Sequence, residues 1–177
     1  MNVKEIRLSG SGGQGIITAG IILAEAALLD GSNALQSQSY GPEARGGASK
    51  AEVIISPTEI GYPKVTKPQI LLALTQQSYE SYKTGLAEDG VIVVDDSINA
   101  TVLENQKLYS LPFMATAHDV LNRPVVANII ALGVIAKLTE CVSLESLEKA
   151  VLARVPKGTE ELNKKALAEG IALADKV

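Results

Sequence analysis

The chain has one Cys, one His, one Phe and no Trp, and each scarcity removes a class of function. One cysteine cannot ligate an iron–sulfur cluster, build a zinc site or close an internal disulfide. One histidine rules out a multi-histidine metal site and leaves a single imidazole, His118, for acid–base work. Aromatics make up 3% of the 177 residues, too little for a base-stacking platform. Sixteen basic against twenty acidic residues give a net charge of -4, so the basic footprint of a nucleic-acid binder is missing too. The chemistry that remains belongs to backbone, amides and carboxylates.

Signals for export and membrane insertion are also lacking. Met1-Asn2-Val3-Lys4-Glu5 has no apolar run behind a basic flank, so no signal peptide is expected. The most apolar stretch, 125–136, contains Asn128 and falls short of the ~18–20 residues of a membrane span. The lone Cys141 suits a reducing compartment. These features predict a soluble, cytoplasmic protein without a membrane partner. A hydrophobic content of 46% over this length is enough for one well-packed domain spanning 1–177.

What is present reads as alternating strands and helices. Residues 3–9 suggest a strand ending at Gly10, followed by the glycine-dense turn Gly10-Ser11-Gly12-Gly13-Gln14-Gly15. A helix then runs to Asp30, with Ile17, Ile21, Ala24 and Leu28 at helical spacing, stopped by Gly31-Ser32-Asn33. Strands are expected at 34–40 and 48–56. The seven residues between them cannot hold a parallel crossover, so any pairing of the two is antiparallel and the sheet is mixed. Ile70–Thr75 suits a buried strand, 76–86 a helix ending near Gly85, and 91–94 a β-branched strand ended by Asp95-Asp96-Ser97. Lys107–Leu111 is a further strand. Helices follow at about 114–121, from Asn122-Pro124 to about Leu138, from a Ser143 cap to Val155, and from Thr159 onward. The fold class is α/β: a three-layer α/β/α Rossmann-like domain with a mixed sheet.

Two segments carry candidate chemistry. The glycine turn matches G-x-G-x-x-G between a strand and a helix, the setting of a phosphate or dinucleotide site. The carboxylate expected for an NAD ribose is missing after the second strand, and no Gly-Lys-[Ser/Thr] occurs, which excludes a P-loop. A tight turn for close packing, a phosphate-bearing ligand or partner contact, and a dinucleotide remain open. The second segment, Ser39 to Ser49, places Tyr40, Glu43 and Arg45 on a glycine-braced loop where α/β sheets tend to bind ligands. Asp95 and Asp96 are adjacent in a strand, point to opposite faces and make a poor catalytic pair. One of them is expected to cap the next turn. His118 has no nucleophile motif beside it and reads as a surface residue. Asn128 is expected to bond a loop carbonyl, and Cys141 to pack as a small apolar residue.

Gly10-Ser11-Gly12-Gly13-Gln14-Gly15 resembles the G-x-G-G-Q-G signature of gamma subunits of 2-oxoacid:ferredoxin oxidoreductases. Gln38-Ser39-Tyr40-Gly41-Pro42-Glu43-Ala44-Arg45-Gly46-Gly47 is similar to that family's second block, in the form found in 2-oxoglutarate-type gamma subunits. Pyruvate-type relatives more often carry Pro-Glu-Arg-Arg-Gly. Tyr62-Pro63-Lys64-Val65, Val94-Asp95 and Asn128-Ile129-Ile130-Ala131-Leu132-Gly133 follow in the family's order, so the resemblance covers the whole chain.

The resemblance implies a holoenzyme that converts a 2-oxoacid, coenzyme A and oxidised ferredoxin to acyl-CoA, CO2 and reduced ferredoxin. It implies thiamine diphosphate, Mg2+ and iron–sulfur clusters on or with other subunits, and no cofactor bound by this chain alone. Partners would be alpha and beta subunits and a ferredoxin-like delta subunit, with a homodimer as one form the isolated chain could take. The chain would have no catalytic residue and no metal ligand. It would pack on the catalytic subunits and shape access for coenzyme A. Gly12, Gly13, Gln14, Gly15, Tyr40 and Arg45 are the expected surface, meeting coenzyme A or a neighbouring subunit. Arg45 suits a phosphate by charge and planar geometry. Pyruvate, branched-chain and indolepyruvate enzymes stay open as alternatives, as does a free-standing nucleotide- or acyl-CoA-binding domain.

Overall fold

A computed structural model describes residues 2–39 and 47–177. Six strands form one mixed sheet in the order β2-β3-β1-β4-β5-β6. They are β1 (Lys4–Ser11), β2 (Asn33–Gln38), β3 (Ala48–Ser56), β4 (Ile70–Ala73), β5 (Val91–Asp95) and β6 (Lys107–Leu111). β3 lies antiparallel to both β1 and β2, while β1, β4, β5 and β6 run parallel. The short 39–47 connection therefore joins antiparallel neighbours, as its length requires.

The helices are α1 (Ile16–Leu29), α2 (Gln76–Tyr82), α3 (Phe113–Ala115), α4 (Ala127–Thr139), α5 (Leu144–Arg154) and α6 (Glu160–Ala174). α3 continues as a π-helical turn over Thr116–Val120, and a 3-10 turn over Pro124–Val126 leads into α4. The single helix expected over 114–121 is thus broken. Asn122, at φ 52, ends it, with Asn122 N–H bonding His118 O and Arg123 N–H bonding Ala117 O.

The three layers are unequal. Alternate residues of each strand split between two cores. Ile6, Leu8, Val53, Ile70, Leu72 and Val93 face the large one, built with α1, α4, α5 and α6. Leu71, Ala73, Ile92 and Val94 face the small one, with Tyr79 of α2 and Ile98. This second face also carries Arg7 and Lys50 paired to the same carboxylate, Glu52, with the Lys50 ammonium over the ring of Tyr82 of α2.

Several expectations need correction. β1 continues through Gly10 to Ser11, because β3 supplies partners that far: Gly10 opposite Ser49 and Ser11 opposite Ala48. α2 stops at Tyr82, and Gly85 (φ 78) lies in the turn beyond. The stripe expected on α1 holds only in part: Ala24 is buried, Ile17 and Ile21 are half-buried, and Leu28 is 56% exposed. Ile16, Ala19, Gly20, Ile22, Leu23, Ala26 and Ala27 supply the rest of the buried surface, and the helix comes close to β3 at Gly20. A Cβ at Gly20 would come within 2.9 Å of the Ala51 methyl. α1 ends as expected, with Gly31 N–H bonding Leu28 O and Ser32 N–H bonding Ala27 O, the paired bonds of a left-handed glycine cap.

α4 and α6 pack backbone to backbone. A Cβ on Gly170 would sit 2.1 Å from Ile130 O, and one on Gly133 would sit 2.7 Å from Leu167 O. At the far end of α1, the Asp30 carboxylate accepts bonds from the Ser143 N–H and hydroxyl, both at 2.6 Å. Ser143 in turn caps α5 by accepting from Ser146 N–H at 3.1 Å. Burial alone pushes the Asp30 carboxyl up, but bonds from Ser143 and Ser146 outweigh it and hold it below its ordinary value.

Candidate functional site

β1 and β4 are parallel neighbours, yet the chain leaves them on opposite faces: toward α1 after β1, toward α2 after β4. A crevice opens at the carboxyl ends of strands where such a reversal occurs. The floor is tied by Ser9 Oγ donating to Leu72 O at 2.7 Å and by Leu74 N–H donating to Ser9 O at 3.1 Å. One rim is the glycine turn. The other is the Thr75 cap of α2, where Ser78 N–H donates to Thr75 Oγ1 and Thr75 N–H to Ser78 Oγ.

Within the turn the glycines serve different ends. Gly13 (φ 84) and Gly15 (φ 70) occupy left-handed backbone that favours glycine. Gly10 leaves room for Gln14, whose Oε1 would lie 2.6 Å from a Cβ there. Gly12 has an ordinary φ and open space around it, so nothing in this chain's own packing demands it. Gly12 and Gly13 are exposed at the rim.

The Gln14 side chain folds back into the turn. Its Oε1 accepts from Ser11 N–H at 2.7 Å, and its Nε2 points to Met114 Sδ at 3.8 Å. Gln14 thus braces the turn and anchors it to α3, a role its place in the motif did not reveal. Gly15 opens α1 with no side-chain cap. The positive end of the helix dipole therefore faces the crevice rim, an arrangement that suits an anionic group.

The second segment joins the turn through its flanks. β2 ends at Gln38 and β3 begins at Ala48, which pairs with Ser11 beside the glycines. Tyr82 Oη of α2 donates to Ala48 O at 3.2 Å. Tyr40 and Arg45, like Glu43, lie outside the described residues. Asn128 reaches the same place from α4: its Nδ2 donates to Gly15 O at 3.1 Å, across 113 residues of sequence. Tyr62-Pro63-Lys64-Val65 does not join them. It lies between the end of β3 and the start of β4, at the opposite end of these strands from the glycine turn, where Glu5 accepts bonds from Thr66 N–H and Lys67 N–H.

The remaining polar candidates have structural roles. Asp95 is buried, with Oδ1 accepting from Ser97 N–H and Oγ and Oδ2 accepting from Met114 N–H. It holds the β5 and β6 exits together, as expected of one member of that pair. His118 is 70% exposed and bonds Asp119 Oδ1 at 2.6 Å. Cys141 is buried, and burial pushes its thiol up, away from the reactive thiolate. Among the described residues no three His, Cys, Asp or Glu come together to hold a metal. No helix among them is long and apolar enough to cross a membrane. A 540 Å³ cleft lined by Asp30, Lys137, Glu140 and Leu144 sits at the opposite end of α1 from the turn.

Residues 5–173 match the family described as pyruvate ferredoxin/flavodoxin oxidoreductase. The chain is 53% identical over 175 residues to 2-oxoglutarate synthase subunit KorC of Methanocaldococcus jannaschii, covering 97% of this chain and 94% of that one. It superposes on the crystal structure of a keto/oxoacid ferredoxin oxidoreductase gamma subunit from Geobacter sulfurreducens with a TM-score of 0.88 and 48% identity. That match covers 98% of this chain and 99% of the other. The fold also matches 32% of a longer chain, at 22% identity and a TM-score of 0.87, in a 2-oxoglutarate:ferredoxin oxidoreductase from Magnetococcus marinus. That structure holds 2-oxoglutarate, coenzyme A and succinyl-CoA. Coverage and identity at this level leave one assignment: the chain belongs to the pyruvate ferredoxin/flavodoxin oxidoreductase family, as a chain of the gamma type.

Proposed function

We propose that this protein is the gamma subunit of a cytoplasmic 2-oxoglutarate:ferredoxin oxidoreductase, inactive alone and active in a complex with alpha, beta and ferredoxin-like delta chains. The observation that carries this reading is the 53% identity, over nearly the full length of both chains, to a 2-oxoglutarate synthase subunit. The holoenzyme would use thiamine diphosphate, Mg2+ and iron–sulfur clusters. This chain's residues do not fit those groups: one cysteine cannot hold a cluster, and no metal-ligating group assembles among the described residues. Its own contribution is to shape the approach of coenzyme A to the catalytic chains.

Gly12, Gly13, Gln14, Gly15, Tyr40 and Arg45 form the proposed contact surface. An uncapped helix start, an exposed glycine without a packing reason and, in the sequence between β2 and β3, a guanidinium are the features that suit a phosphate of coenzyme A. Gln14 supports that surface by holding the turn, since its carboxamide is already engaged within the chain. The test is Arg45→Ala in the assembled enzyme. A raised KM for coenzyme A with 2-oxoacid saturation unchanged supports the coenzyme contact. Loss of assembly reassigns Arg45 to a subunit interface. Tight nucleotide binding by the isolated chain in calorimetry, with no partner recovered in pull-down, would instead favour a free-standing binding domain.

A further inference from the structure

Asn128 is the one polar side chain on the buried face of α4, 6% exposed among Ile129, Ile130, Leu132 and Val134. A buried carboxamide is costly unless its bonds serve the fold. Its Oδ1 accepts from Ile129 N–H at 2.9 Å, which completes the start of α4. Its Nδ2 does something the backbone does not require. Gly15 O already accepts the helical bond from Ala19 N–H at 2.9 Å, so the Asn128 bond is a second one to a satisfied carbonyl. The carboxamide also sits directly on the Gly15 α-carbon, where a Cβ would come within 2.5 Å of Nδ2.

The direction in which a helix starts is commonly set by a side chain at its own N-cap. α1 has none, because Gly15 occupies that position. We propose that Asn128 replaces this missing cap from across the fold, as a positioning residue that fixes the glycine turn and aims the first-turn amides of α1 at the bound anion. The inference rests on the reading that this turn receives coenzyme A. Without the tie, the Gly13–Gly15 hinge has two left-handed glycines and no side chain of its own to hold it on the α4 side.

Two variants test this in the reconstituted holoenzyme. Asn128→Asp keeps the acceptor for Ile129 N–H and loses the donor to Gly15 O. Asn128→Ala loses both and adds no charge. Each is expected to raise KM for coenzyme A about tenfold, the equivalent of about 1.4 kcal/mol. Values of kcat and of KM for 2-oxoglutarate should stay within about twofold under the same conversion, with the complex unchanged on gel filtration. A lower melting temperature with KM for coenzyme A unchanged would overturn the proposal and leave Asn128 a purely structural residue. Should Asn128→Ala fail to assemble, Asn128→Asp decides, because it preserves the start of α4. If the wild-type chain itself confers no coenzyme A-dependent turnover, the functional reading fails before either variant is compared.

Discussion

Gly170→Ala is expected to destabilise the protein although it puts a better helix former into a helix. In an exposed helix interior this change stabilises by about 1 kcal/mol. At position 170 the new methyl would lie 2.1 Å from Ile130 O, 2.9 Å from Ile130 C and 3.2 Å from Gly133 Cα. Ordinary contacts between carbon atoms lie at about 3.5–4.0 Å, so α4 and α6 must separate by roughly 1 Å or more. The obstacle is backbone, which cannot swing aside as a side chain would. Overpacking typically costs about 1–3 kcal/mol, and a backbone clash sits at or above the upper end. Subtracting the propensity gain leaves a net loss of about 2 kcal/mol. For a chain of this length that corresponds to a melting temperature lower by about 4–8 °C. Differential scanning calorimetry beside Gly12→Ala, whose new methyl meets open space, provides the assay and its control. A Gly170→Ala protein as stable as wild type would refute the close helix crossing.

Three further outcomes follow from the same geometry. Ser143→Ala removes the α5 cap and should cost about 1 kcal/mol in chemical denaturation. Asp30 should add acid sensitivity: its folded carboxyl lies below the ordinary value, so its contribution is present above the unfolded value, about 3.9, and disappears as pH falls through the folded value. The stability gap between wild type and Asp30→Asn should therefore close below about pH 4, and a constant gap down to acid unfolding would exclude the linkage. Asp95→Ala removes a buried carboxylate and leaves the half-buried Met114 N–H without its acceptor, while the exposed Ser97 donors turn to water; it should cost about 1–3 kcal/mol, read from urea midpoints.

The sequence was most legible where local chemistry decides. β3 and β6 begin and end at the predicted residues, and Ser143 caps α5 as its side chain suggests. The antiparallel β2–β3 pair follows from the length of the loop between them. Strand order did not show itself, because the placement of β3 between β2 and β1 is a non-local pairing with no sequence period of its own. The buried face of α1 was legible only in part, at Ala24, because its close approach to β3 is made at a glycine, Gly20, which stands out in no periodic pattern. The α4–α6 crossing was hidden for the same reason: an isolated helical glycine such as Gly170 carries no local signal.

The candidate site divides in the same way. The glycine turn was visible as a motif, and its position beside the β2–β3 connection follows from the antiparallel ladder. The roles within it were visible only in part. Asn128 bonds a loop carbonyl as expected, although its partner, Gly15, 113 residues away, had no local signal, and the hold of Gln14 on its own turn did not show in the motif.

The most direct measurement is 2-oxoacid turnover by the alpha, beta and delta chains reconstituted with and without this protein, across a panel of 2-oxoacids. Coenzyme A-dependent reduction of ferredoxin should require this chain and be fastest with 2-oxoglutarate. Equal turnover of 2-oxoglutarate when the chain is left out would contradict the account.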